Sequence, residues 1–124
     1  MSNVTVLVAD DEPDMLVLTR AVLERAGFAV VEQAVDGTEA LAAIDRLNPP
    51  PTPNVMVLDY RMPGLTGLEV AQRVLDVYPG QRIILFSAWL DPKLVADAEL
   101  IGVRCVSKSN VDELPRVVDA LAAA

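Results

Sequence analysis

The sequence predicts an α/β domain built on a parallel sheet with helices on both faces. Three observations predict it. Five short apolar runs alternate with five helix-like segments, glycine, proline or aspartate stands at most of the junctions, and no repeat or internal linker interrupts the series. Alternating βα units force parallel pairing, because each helix must carry the chain back along the sheet. The length of 124 residues suits one domain, taken here as residues 1–124. The 52% hydrophobic content is enough for a core.

Val4 to Ala9 is a β-branched, continuously apolar run, which reads as a strand buried on both faces. Pro13 and Asp14 open a helical stretch that Gly27 stops. Phe28 to Ala34 reads as a second strand, less apolar because of Glu32 and Gln33. After Asp36-Gly37 a helix is predicted over Thr38 to Leu47. Pro49 to Pro53 fits neither helix nor central strand and reads as a stiff connector. Asn54 to Leu58 is the third strand and delivers Asp59 at its end. A loop over Arg61 to Thr66 leads into a helix over Gly67 to Val77. Gln81 to Phe86 is the fourth strand, closed by Ser87. Asp91-Pro92 supplies a cap and a first-turn proline for a helix running to about Ile101, which Gly102 ends. Val103 to Val106 is a short fifth strand, and the last helix is expected from Asn110 or Asp112 to Leu121. Pro115 requires that helix to start late or to kink.

Composition removes several function classes. Eighteen acidic residues against ten basic ones give a formal charge of −8, with no basic cluster, so direct nucleic-acid binding is not expected. The chain has no histidine, which excludes Ser-His-Asp and Cys-His catalysis, His-ligated zinc and a phosphohistidine donor role. The single cysteine, Cys105, allows neither an internal disulfide nor a Cys-cluster metal site. No apolar run is long enough to span a bilayer, and the N-terminus lacks the features of a signal peptide, so a cytoplasmic location with no membrane contact is expected.

In parallel α/β sheets the ligand site lies outside the C-terminal strand ends. That rule brings Asp10, Asp11, Asp59, Ser87 and Lys108 to one edge. Carboxylates ~4 Å apart repel by about 4 kcal/mol at an effective dielectric of 20. Either one is protonated or a cation sits among them. A hard cation with oxygen ligands, Mg²⁺ above all, suits Asp10, Asp11 and Asp59. Lys108 adds a positive charge for an anion, and Ser87 a hydroxyl. A carboxylate so surrounded is suited to accepting a phosphoryl group.

The runs Val6-Leu7-Val8-Ala9-Asp10-Asp11-Glu12, Val57-Leu58-Asp59-Tyr60-Arg61-Met62-Pro63-Gly64, Gly67-Leu68-Glu69, Phe86-Ser87-Ala88 and the isolated Lys108 stand in an order and at separations that are together specific. Over essentially its whole length the chain resembles a response-regulator receiver domain of two-component signalling. The resemblance implies a flavodoxin-like, doubly wound five-stranded parallel sheet in the order 2-1-3-4-5, flanked by five helices. It implies that Asp59 is the phosphoacceptor, that Asp11 ligates Mg²⁺ directly, and that Asp10 acts mainly through a metal-bound water. Arg61 would lend its backbone carbonyl to the metal. Lys108 would pair with the acidic site or phosphoryl oxygens, and Ser87 would bond a phosphoryl oxygen and draw in the loop after the fourth strand. The implied donor is a sensor histidine kinase or histidine phosphotransfer protein. The implied output is a partner protein or output domain engaging the face of the fourth helix, fifth strand and fifth helix, with a phosphorylation-dependent homodimer as a further possibility.

This sequence departs from the family in places. Cys105 stands where relatives often carry a mobile Tyr or Phe, and Ser109 where many have proline. Cys105 by itself reads as a small buried hydrophobe. Trp89 is open between local packing and an exposed anchor for a partner. Arg61 and Trp89, two residues after Asp59 and Ser87, flank the path of attacking water in this family, so large side chains there should slow phosphoryl loss. Since the sequence ends near Ala124, a stand-alone receiver or one cut from a larger regulator is expected. Two rivals are a Mg²⁺-dependent phosphohydrolase and a docking module that is never phosphorylated. The Asp-x-Asp pair of haloacid-dehalogenase-like phosphatases is missing, and the intact acidic set speaks against the second.

Overall fold

The structure, a computed structural model, describes residues 3–47 and 52–123. Ten elements alternate strictly: β1 (Thr5–Ala9), α1 (Pro13–Arg25), β2 (Ala29–Ala34), α2 (Gly37–Arg46), β3 (Val55–Leu58), α3 (Gly67–Val77), β4 (Arg82–Ser87), α4 (Pro92–Leu100), β5 (Arg104–Ser107) and α5 (Glu113–Ala123). All strand pairs are parallel, and the sheet order is β2-β1-β3-β4-β5, as the family resemblance implied.

Side-chain alternation divides the core into two layers. Leu7, Met56, Leu58, Ile83 and Leu85 face one side, where α2, α3 and α4 cover them through Ile44, Val74 and Ala98. Val6, Val8, Val57, Ile84 and Phe86 face the other, under α1 and α5, which bring Leu23, Leu114 and Val118. The central strands are apolar over residues 6–9, 55–58 and 83–86 because both faces are covered there. β2 lies at a sheet edge, which explains its mixed composition. Its pairing with β1 slips between Val6 and Leu7, and Glu32 there reaches Arg46 of α2 at 3.2 Å.

The helix starts follow local chemistry. Asp36 caps α2 by accepting from the Glu39 N–H at 2.8 Å, and Asp91 caps α4 through the Leu94 N–H at 2.8 Å. Thr66 and Glu69 form a reciprocal capping box at the start of α3. α2 begins one residue before its predicted start, and all five strands begin one residue after theirs. α5 starts at Glu113, so Pro115 falls in its first turn, where the missing N–H has no intrahelical partner to lose. Late initiation, not a kink, accommodates the proline. Pro49 to Pro51 lie outside the described residues, and Thr52 and Pro53 carry no regular structure. Among the described residues no helix is long and apolar enough to cross a membrane.

Candidate phosphoacceptor site

The sheet's hydrogen-bond ladder runs one residue past the ends of β1, β3 and β5, and this fixes the site. The Asp10 N–H donates to the Ala34 carbonyl at 3.0 Å, Asp59 N–H to the Ala9 carbonyl at 2.9 Å, and Lys108 N–H to the Ser87 carbonyl at 3.0 Å. Asp10, Asp59 and Lys108 are therefore the first residues beyond β1, β3 and β5, still tied to neighbouring strands. Loop closure after β3 is equally tight. The Gly67 N–H donates to the Tyr60 carbonyl at 2.9 Å, and a Cβ at Gly67 would collide with the Asp59 carbonyl oxygen.

Lys108 joins the acidic residues. Its Nζ lies 2.7 Å from Asp10 Oδ2, 3.3 Å from Asp59 Oδ2 and 4.0 Å from Glu12 Oε1. The Asp10, Asp59 and Lys108 side chains are only 3%, 6% and 10% exposed, so these charges interact with little screening by water. Both Asp10 oxygens are engaged, since Oδ1 accepts the Glu12 N–H at 3.0 Å. Asp11 is exposed, and among the described residues its carboxylate takes part in no hydrogen bond or ion pair. One carboxylate oxygen from each of Asp10, Asp11, Glu12 and Asp59 falls within 4.8 Å of the others. Such a set of hard oxygen donors fits a small divalent cation. A cavity of about 170 Å³ opens over the cluster, with Arg61, Ala88 and Trp89 forming its far wall.

The electrostatics follow from burial and crowding. Burial, with the neighbouring Asp10 charge, pushes Asp59 up to about 6, against the opposing pull of Lys108 and the Tyr60 backbone N–H. For Lys108 burial alone would lower the pKa, but the hydrogen bond to Asp10 and the charges of Asp59 and Asp10 outweigh it, so Lys108 stays cationic. A raised carboxyl pKa means that the folded chain binds more protons than the unfolded one between pH ~4 and about 6. Without divalent cations, wild-type stability relative to Asp59→Asn should therefore fall as pH rises through that window and then level off. Urea unfolding of both proteins from pH 4 to 8 checks this, and a gap moving the other way would contradict it.

Every residue predicted for the site lies at this edge, but Ser87 is placed differently from the rest. It is fully buried at the end of β4 and does not line the cavity. Its Oγ accepts the Trp89 N–H at 3.2 Å, leaving the hydroxyl proton available to another acceptor. Arg61 lays its guanidinium over the Trp89 ring, 4.7 Å from the centroid. Two features lie outside the sequence-based assignments. Glu12 joins the acidic cluster, and the third acid of the Asp10-Asp11-Glu12 run was the available signal. The Arg61–Trp89 stack joins residues 28 positions apart, and no local pattern announces it. A groove of about 740 Å³ runs beside α5 between Arg104 and Arg116 and holds no comparable convergence of charge.

Comparison with known proteins identifies the family. The response regulator receiver domain family matches residues 6–119. The signal receiver domain of the putative response regulator NarL from Mycobacterium tuberculosis superposes with a TM-score of 0.88 at 32% identity, covering 100% of this chain and 99% of that one. Chemotaxis protein CheY of Thermotoga maritima is 26% identical over 99 residues, 80% of this chain and 79% of its own. Protein-glutamate methylesterase/protein-glutamine glutaminase 3 of Hahella chejuensis is 33% identical over 84 residues, 68% of this chain. The match spans only 23% of that longer protein, and 30% of a second methylesterase, from Geobacter metallireducens. With the family pattern running over residues 6–119 and a receiver domain superposing along the whole chain, the chain belongs to the response regulator receiver domains.

Proposed function

We propose that this chain, over residues 1–124, is a phosphorylation-dependent switch that accepts a phosphoryl group on Asp59 from a partner's phosphohistidine. One observation carries the reading. Lys108 bridges two buried carboxylates, Asp10 and Asp59, beside an oxygen cluster sized for one divalent cation. Mg²⁺ would be held by Asp11, Asp59 and the Arg61 backbone carbonyl, with Asp10 acting through a bound water because both its oxygens already have partners. When bound, the cation neutralises charge on the transferring phosphoryl oxygens and relieves the crowding of carboxylates.

The chain's own residues supply the remaining chemistry. An ionised Asp59 oxygen attacks phosphorus in line, the P–N bond to the donor imidazole breaks, and the leaving nitrogen keeps the bonding pair. Lys108, already 3.3 Å from Asp59, turns a donor toward the new phosphoryl oxygens. Ser87 offers its hydroxyl proton to one of them. The added charge and oxygens then bias the loop after β4, and with it the α4–β5–α5 face, toward a second arrangement. The proposed partners are a sensor histidine kinase or phosphotransfer protein on the input side. On the output side they are an output domain or partner protein, with a homodimer as a further outcome. The site is one of stoichiometric transfer and slow self-dephosphorylation, in a cytoplasmic setting, without direct contact to nucleic acid or membrane.

Phosphoramidate, whose P–N bond mimics phosphohistidine, tests this directly. One phosphoryl group should be taken up with Mg²⁺ and none with EDTA, and uptake that ignores Mg²⁺ would overturn the metal assignment. The Arg61–Trp89 stack walls the cavity against water. Replacing both residues with Ala should therefore shorten the aspartyl-phosphate lifetime several-fold. An unchanged decay rate would remove them from that role.

A further inference from the structure

We propose that Trp89 is the element that reports phosphorylation in this chain, positioned by Ser87 on its backbone side and by Arg61 on its ring side. The inference rests on the reading of Asp59 as phosphoacceptor and adds how that event reaches the surface. Four observations converge on it.

First, Ser87 has a fixed backbone and a movable side chain. Its carbonyl is held by the Lys108 N–H at 3.0 Å, and the residue is fully buried. Only rotation about χ1 can carry its hydroxyl toward a group on Asp59. Second, the Ser87 Oγ accepts the Trp89 N–H at 3.2 Å. A change of staggered χ1 well moves an oxygen by roughly 2 Å, so that hydrogen bond either breaks or draws the Trp89 backbone along.

Third, Trp89 is 61% exposed, and the ring contact it shows is with Arg61, 4.7 Å from its centroid. Arg61 sits two residues after Asp59, on the opposite loop. The stack therefore bridges the loops after β3 and β4. It forms a wall shared by the acidic cavity and a second hollow of about 280 Å³ that extends over Leu90 and Asp91 to the start of α4. A shift of the Trp89 backbone re-aims the ring and opens that wall. Arg61 is in turn freed toward the anionic site. Fourth, β5 offers no aromatic alternative. Its residues are Arg104, Cys105, Val106 and Ser107, and Cys105, half-buried opposite Leu85, has no ring to rotate.

Trp89 is the only tryptophan in the chain, so its emission reports this stack alone. The full chain is treated with acetyl phosphate and Mg²⁺, and emission and acrylamide quenching are normalised to the phosphorylated fraction read by intact mass. The wild type should show a shifted emission maximum and altered quenching on phosphorylation. Ser87→Ala should lose that response per phosphorylated molecule, Ser87→Thr should restore it, and Arg61→Ala should begin with the ring already unstacked and respond weakly. A phosphorylated wild type with unchanged emission and quenching would overturn the proposal, as would a full response in Ser87→Ala. Failure to acquire the phosphoryl group at all would instead remove the functional reading, and this inference with it.

Discussion

Lys108→Met should lose on the order of 3 kcal/mol of stability at pH 7.5 without divalent cations, the typical cost of leaving a buried charge without its partner. Lys108 is the cation between Asp10 and Asp59, and methionine keeps the stem while removing the charge. The loss should shrink toward pH 5. Asp59, already raised to about 6 by burial and by Asp10, would climb further and take up a proton there. Mg²⁺ should restore part of the stability at pH 7.5 by supplying the missing positive charge. Phosphoryl uptake should slow by about 10²–10³-fold, since a donor aimed at the developing charge is gone. Urea unfolding and time-resolved intact mass check both. A variant as stable as wild type at pH 7.5 would mean that Lys108 does not hold these carboxylates together.

Gly67→Ala should cost about 1–3 kcal/mol, the range for forcing extra volume into a closely packed site. The new methyl would meet the Asp59 carbonyl oxygen on one side and Leu85 Cδ1, at 2.8 Å, on the other. Neither is the free end of an exposed chain, so the loop after β3 must move and take Asp59 with it. Uptake should slow along with the loss of stability. Gly80→Ala is the control, because a Cβ there meets nothing within 4 Å. Equal melting temperatures for the two variants would contradict the close approach at Gly67.

Much of the scaffold was legible because burial on both faces leaves no freedom in composition. Val6 to Ala9 and Val55 to Leu58 are apolar throughout, and their ends place Asp10 and Asp59 without ambiguity. Asp36 and Asp91 announced helix starts through residue types that satisfy unpaired N–H groups. The strand order came from family resemblance, since periodicity fixes an element's type and not its neighbours. β5 was read one residue early because Val103 is as buried as a strand residue yet precedes the ladder. The start of α5 was obscured by turns in which the Glu113 and Leu114 N–H groups bond the Asn110 and Val111 carbonyls before the helix settles. The convergence of Asp59 with Asp10, Asp11 and Lys108 was readable from strand ends alone. The hydroxyl of Ser87 bound to Trp89, and that ring stacked on Arg61, depend on side-chain directions in two separate loops, which no sequence period encodes.

Asp59 itself is expected to accept the phosphoryl group, once per chain. Intact-mass analysis after acetyl phosphate and Mg²⁺, followed by reductive trapping of the acyl phosphate and peptide mapping, measures it most directly. One added phosphoryl group is expected, located at Asp59 and absent from Asp59→Ala. Label on another residue, undiminished uptake by Asp59→Ala, or sustained phosphate release from simple phosphomonoesters would contradict it.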